Sequence, residues 1–344
     1  LRAKTDGLYI LDMDHLKPYK DFGDFLQTVF PFKVQKISVN AGFTCPNRDG
    51  TKGWGGCTYC NNQTFSPSYA APQKSVAEQL ADGVRFFSRK YPQMKYIAYF
   101  QSYTNTYDAL DNLLGKYNEA LNYPDVAGLM IATRPDCMPD ELLYELEKIS
   151  RSSFLLIEYG IESTCNETLE RINRGHTYEE AVETIQRTAL RKIPCGAHLI
   201  LGLPGESREM ILSHADKISQ LPLTTVKLHQ LQLIRHTRMS HQWEEHPELF
   251  SLYTVDEYIE LCIDFLERLN PAFFLERFVS QSPAELLLAP AWGLKNHEFT
   301  AKINKRIRER GSWQGRLTHR LENAKEADYT YNPLPLHSKS PSVF

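Results

Sequence analysis

Apolar positions along this chain alternate between two rhythms. Short β-rich runs occur at KVQKISVN (33–40), KYIAYFQS (95–102), VAGLMIAT (126–133), FLLIEYG (154–160), CGAHLIL (195–201) and TVKLHQLQL (225–233), and each reads as a strand. Between and after them, helical spacing runs through 75–91, 107–121, 139–150, 177–192, 207–220 and 254–269. Thr177 and Thr254 stand where helix N-caps belong, with acids in the first turn. This alternation predicts βαβ units and a parallel sheet, hence an α/β fold. Six strands with crossover helices suit either an open barrel or a doubly wound sheet, and periodicity does not choose between them. There is no internal repeat or low-complexity linker, and the end, YNPLPLHSKSPSVF (331–344), reads as an irregular tail.

Composition narrows the class. The 344 residues are 42% apolar, enough for a substantial core. No apolar run approaches the roughly 20 residues that cross a bilayer. The opening LRAKTDGLYILDMDHLKPYK has no signal-peptide apolar block. A cytoplasmic protein with reduced thiols and no membrane partner is therefore expected. A net charge of −3 gives no overall pull toward nucleic acid.

Three of the seven cysteines cluster in CPNRDGTKGWGGCTYC, as Cys45, Cys57 and Cys60, directly after the first strand. In parallel α/β folds ligands sit beyond the carboxyl ends of strands. Glycines 50, 53, 55 and 56 let this loop wrap a bulky ligand. Structural zinc takes four ligands, usually two pairs, whereas here one Cys-x-x-Cys pair and one lone cysteine stand far from His15 and His176. Three thiolates on a 4Fe-4S cluster leave one iron open for a small molecule. Cys137, Cys165, Cys195 and Cys262 lie singly on separate elements and read as small buried hydrophobes.

The spacing C-x11-C-x2-C after the first strand resembles the expanded cysteine motif of a radical S-adenosylmethionine (SAM) family, the YhcC type, related to the elongator catalytic subunit that modifies tRNA. The resemblance runs in one order through KISVNAGFTCPNRDG, GGCTYCNN, YFQSYTNTY, IATRPDCMP, IEYGIES, INRGHTYEEAVE, HLILGLPGES, VKLHQLQLIRHT and APAWGLK, over roughly residues 20–315. It implies a partial (β/α)6 radical SAM barrel over 31–285, between an N-terminal extension (1–30) and a basic C-terminal extension (286–344). It also implies a 4Fe-4S cluster on Cys45, Cys57 and Cys60 that cleaves SAM to a 5′-deoxyadenosyl radical, with electrons from a donor such as flavodoxin or ferredoxin. No acetyltransferase domain follows, so acetyl transfer is not expected.

The same resemblance assigns SAM contacts at strand ends. Tyr59 packs against adenine, or simply against its own loop. Gln101 and Ser102 replace the glycine-rich turn that meets SAM's amino group in relatives, and Ala132 stands where many carry a glutamate. Glu158, Glu162 and Ser163 close the fourth strand, and buried carboxylates there call for a cationic partner. Arg174, twelve residues beyond Glu162, holds the SAM carboxylate or forms a helix-end salt bridge. Leu203 and Gly205 shelve the adenine, and His198 lies near the ribose or in the core. Tyr103, Arg134, Lys227 and His229 face substrate, although Arg134 with Asp136 reads equally as a structural pair.

Segment 295–325 carries nine Lys/Arg against three Glu, a net of +6. Lys305, Arg306 and Arg308 form either a solvated basic helix or an RNA contact. With the elongator resemblance, the expected substrate is tRNA at a wobble uridine. The alternatives are an iron–sulfur electron carrier or redox sensor, a zinc-stabilised RNA-binding module, and a radical SAM enzyme acting on a peptide or small molecule.

Overall fold

The computed structural model describes residues 17–64, 66–88 and 94–318. The expected irregular tail at 331–344, and the basic positions Arg320 and Lys325, lie outside the described residues.

Six strands form where the apolar runs predict them: β1 Val34–Val39, β2 Lys95–Phe100, β3 Val126–Thr133, β4 Phe154–Glu162, β5 Cys195–Leu201 and β6 Thr225–Gln230. A two-residue strand, β7 (Leu233–Ile234), follows, and the sheet gains one strand beyond the expected six, β8 Phe274–Arg277. All pairings in the sheet are parallel and the order is β1-β2-β3-β4-β5-β6-β8. A doubly wound sheet reverses its strand order at a switch point. This order never reverses, so the sheet curls into a half-barrel. Lys36 on the first strand meets Glu276 on the last at 2.6 Å, a bond across the curled interior. A separate short strand, β9 Leu287–Ala289, pairs antiparallel with β7.

Side-chain parity separates the two faces. On β4, Leu155, Ile157, Tyr159 and Ile161 pack outward into the main core beneath the helices. Phe154, Leu156, Glu158, Gly160 and Glu162 share the opposite parity, so this inner row passes from apolar to charged toward the strand's carboxyl end. The apolar end is plugged by α1 Phe22–Val29, whose Phe22 and Phe25, with Phe30, join Ile97, Met130, Phe154 and Leu156. The other described helices are α2 Val76–Phe87, α3 Leu110–Leu121, α4 Asp140–Ser150, α5 Asn166–Arg171, α6 Tyr178–Leu190, α7 Arg208–Ile218, α8 Arg238–Glu245, α9 Val255–Arg268 and α10 Asn296–Glu309. Thr177 and Thr254 cap α6 and α9, each in a full capping box. With the plug below and helices outside, the interior has a cavity at the carboxyl ends of the strands.

Candidate active site

The loop after β1 is held from several sides. Thr58 N–H donates to Ile172 O at 2.9 Å, and Met239 N–H to Thr58 O at 2.9 Å. Asn173 Nδ2 reaches Gly56 O at 2.9 Å, and Arg48 Nη2 reaches Cys60 O at 2.9 Å. Lys52 pairs with buried Asp136 at 2.6 Å. Cys45, Cys57 and Cys60 thereby line one cavity with about 850 Å³ of empty space including its open mouth. Donors aim at the sulfurs: Asn47 Nδ2 and Arg174 Nη1 lie 3.7 and 3.6 Å from Cys57 Sγ, and Asn62 Nδ2 3.7 Å from Cys60 Sγ. Burial, then the neighbouring Cys57, pushes the Cys60 thiol up to about 11.

The strand ends bring Tyr59, Gln101, Tyr103, Arg134, Glu158, Glu162, Arg174, His198, Lys227 and His229 to the same cavity. At its rim-side end β4 bulges, and Glu162 takes a left-handed φ of +69°. That turn sets the Glu162 carboxylate 3.4 Å from Arg174 and 3.6 Å from His198 Nδ1. Gly160 makes the room: a Cβ there would lie 2.5 Å from Glu162 and 2.7 Å from Arg174. Arg174 is heavily committed, donating Nε to His176 at 3.0 Å and Nη2 to Gly160 O at 2.6 Å besides its contact with Cys57. Arg134 gives Nε and Nη2 to Asp136, both at 3.0 Å, but its Nη1 is buried with no hydrogen-bond partner among the described residues. Among the described residues Glu162 Oε2 and His198 Nε2 likewise have no hydrogen-bond partner.

Below this layer lies a buried ionic floor. Lys227 Nζ is 3.1 Å from Glu158, 3.0 Å from Glu276 and 2.7 Å from the Tyr99 hydroxyl, which itself donates to Glu158. Burial and the adjacent Glu276 raise Glu158. Burial would raise Glu276 too, but Lys227 and Lys36 more than reverse it. Burial, followed by Lys227 and Arg277 for His198 and by Arg277 for His229, holds both histidines far below their usual range and therefore neutral.

Four of the expected residues do not line the cavity. Ser102 bonds Ser66 at 2.8 Å behind the second strand. Ser163 turns into a buried group with Glu206, His214 and Thr164. Leu203 instead packs in the apolar cluster that supports Tyr59. Gly205 sits against the Arg171 guanidinium, which bonds Pro204 O at 2.7 Å. The basic positions Lys305, Arg306 and Arg308 also lie elsewhere, on α10 against α9. There Arg306 and Arg310 pair with Glu260 at 2.5 and 2.8 Å, and Arg316 with Glu267 at 2.8 Å. Three of the segment's nine positive charges, on Arg306, Arg310 and Arg316, are therefore paired within the molecule. Conversely, Arg48, Asn62, Tyr99 and Arg277 line the cavity and were not singled out by sequence reading. Tyr99 hides in an apolar run and Arg277 in the unpredicted seventh strand.

The model of the radical SAM superfamily matches residues 43–218, and that of the radical SAM C-terminal domain matches 223–309. YtqA of Bacillus subtilis is 34% identical over 306 residues, covering 89% of this chain and 94% of YtqA. The chain belongs to the radical SAM superfamily, in its YhcC-type family. YhcC of Escherichia coli K12 is 32% identical, covering 84% of this chain and 92% of YhcC. An archaeal Elp3 from Methanocaldococcus infernus shares the radical SAM fold, with a TM-score of 0.61 at 17% identity, over 82% of this chain and 64% of that one.

Radical SAM enzymes use a 4Fe-4S cluster and SAM, and the residues here fit both. Among the described residues no three His, Cys, Asp or Glu side chains converge tightly enough for one metal ion. A cubane binds each thiolate at a different iron and needs the wider triangle. The unpartnered atoms of Arg134, Glu162 and His198 match a ligand that carries both carboxylate and ammonium groups. Three of the four scattered cysteines are buried, as small hydrophobes are, while Cys165 is partly exposed. No described helix is long and apolar enough to cross a membrane.

Proposed function

We propose that this chain is a radical SAM enzyme that modifies tRNA at a wobble uridine, working in the cytoplasm with a flavodoxin- or ferredoxin-type electron donor. The observation that carries the chemistry is the meeting of three thiols with unpartnered charged groups in one cavity. When bound and reduced, the cluster supplies the electron that cleaves SAM and yields the 5′-deoxyadenosyl radical that takes a hydrogen atom from substrate.

The chain's own residues do the rest. Cys45, Cys57 and Cys60 hold three irons. Asn47, Asn62 and Arg174 direct N–H groups at the ligating sulfurs and offset their negative charge. The free Arg134 Nη1 takes the SAM carboxylate, a duty the crowded Arg174 guanidinium is less able to perform. Glu162 Oε2 and neutral His198 receive the amino acid's ammonium group or the ribose hydroxyls. Tyr59 covers the adenine. Glu158, Lys227 and His229 face substrate from the floor, with Tyr103 at the entrance.

The tRNA assignment draws support from the tRNA uridine(34) acetyltransferase of M. infernus, 26% identical over 65% of this chain and 41% of that protein. The Elp3 fold likeness runs the same way. Mass spectrometry of tRNA nucleosides from cells with the intact protein and with Cys57→Ala tests it. A nucleoside that changes at the wobble position is expected, and identical nucleoside profiles would overturn the assignment.

A further inference from the structure

The basic helix α10 contributes no residue to the cavity lining, yet the cavity mouth carries its own cations. Arg48 lines the cavity, and Arg238 Nη2 bonds the carbonyl of Gly56, another lining residue. Asn61, next to Cys60, donates to Arg235 O at 3.2 Å, which places the Arg235–Arg238 turn beside the cluster loop. None of these three arginines has a carboxylate within ion-pair distance among the described residues, in contrast to Arg306, Arg310 and Arg316. The loop's own acid, Asp49, is occupied with Thr51 at 2.7 Å.

Two aromatic side chains stand among these cations. Trp54 is 73% exposed, at the tip of the cluster loop. Its ring rests on Gly50, where a Cβ would come within 2.3 Å, so the loop seats one face and leaves the rest to solvent. Tyr103 lines the cavity, is 39% exposed, and is aimed by a left-handed φ of +64°. Trp54 and Tyr103 thus leave aromatic surface open to solvent beside these cations. Unpaired arginines interleaved with open aromatic faces are what a single-stranded nucleic acid needs: guanidinium groups for phosphates and rings for unstacked bases.

We propose that this rim, formed by Arg48, Trp54, Tyr103, Arg235 and Arg238, binds a single-stranded RNA segment, with a base stacked on Trp54 as its neighbour enters the cavity. The inference rests on the RNA reading above and moves the contact from α10 to the mouth. A base must leave its stack to reach a buried reaction centre, and an aromatic platform beside the entrance lowers that cost. Arg235 and Arg238 then track the backbone from the turn beside the cluster loop.

The test is binding of bulk tRNA to the anaerobically reconstituted full chain over a range of KCl concentrations. Trp54→Ala is expected to weaken binding about tenfold or more, and Trp54→Phe, which keeps a stacking face, to retain most of it. Arg235→Glu serves as the charge probe, because its guanidinium bonds nothing else among the described residues. With Arg238→Gln it should flatten the salt dependence by about 1.4, at about 0.7 per lost phosphate contact. tRNA should quench tryptophan fluorescence in the intact protein and less in Trp54→Phe. If the protein binds tRNA but these variants bind equally well, or if Lys302, Lys305 and Arg308 reversals abolish binding instead, the rim assignment is overturned. If the unaltered protein does not bind tRNA at low salt, the RNA reading itself falls.

Discussion

Lys227 answers two carboxylates from a buried position. Removing its charge in Lys227→Met leaves Glu158 and Glu276 facing each other, with Lys36 on Glu276 the remaining ion-pair partner of the two among the described residues. Breaking a buried pair from one side costs about 3 kcal/mol, and urea unfolding should show a loss of that order. A loss near zero would mean that water or proton uptake already compensates the floor. Asp136 gives a pH signature. Burial raises its carboxyl, but Arg134 and then Lys52 outweigh burial and bring it down from 3.8 to about 2. Its folded value lies below its unfolded one. The pairing therefore stabilises the fold above about pH 4 and is lost as pH falls toward 2. Asp136→Asn should cost on the order of 2 kcal/mol at neutral pH, with the gap to the unaltered protein closing across that acid window. A gap independent of pH would contradict the pairing. At this scale the sequence shows residue types near strand ends but not their orientation. Glu162 was legible as a strand-end carboxylate. Its left-handed backbone, which swings it onto Arg174, depends on a bulge that only register with β5 reveals.

Among elements, α10 shows how a charge count misleads. Nine basic residues in thirty-one suggest an open cationic surface. The acids that pair with three of them, Arg306, Arg310 and Arg316, are Glu260, Asp264 and Glu267 on α9, forty to fifty residues earlier and one turn apart on the face that α10 covers. Glu267 is almost fully buried and accepts from Ser312 at 2.6 Å and Arg316 at 2.8 Å. Glu267→Ala should detach this corner and lower stability by about 2 kcal/mol, less than a fully buried pair because Arg316 is 38% exposed. Limited proteolysis should then cut first after α10, while an unchanged cleavage pattern would show that apolar packing of Phe299, Ile303 and Ile307 suffices. Helix starts were far more legible than helix partners. Thr177 and Thr254 cap their helices as their spacing predicts, because a capping box is a contact within four residues. The plug helix α1 escaped notice because its eight residues are too few for a periodic signal, and its apolar side chains have meaning only beneath the sheet.

For the whole molecule, the six longer strands could be read from their apolar runs, and β5 was found to the residue. Whether they formed a barrel or an open doubly wound sheet could not, since strand order is a property of pairing and not of any one segment. The seventh strand, FLER, is short and half charged because Glu276 and Arg277 serve the barrel interior, so its function erased its strand signal. The curl it completes joins a cysteine loop from the first strand to an ionic floor built from β2, β4, β6 and β8. That arrangement puts the three thiols and the groups proposed to face substrate in one cavity. The most direct test is the yield of 5′-deoxyadenosine from anaerobically reconstituted, dithionite-reduced protein given SAM, with and without tRNA. The account predicts 5′-deoxyadenosine from the intact protein, more of it when tRNA is present, and none from Cys57→Ala. No 5′-deoxyadenosine from iron-loaded intact protein, or an equal amount from Cys57→Ala, would contradict it.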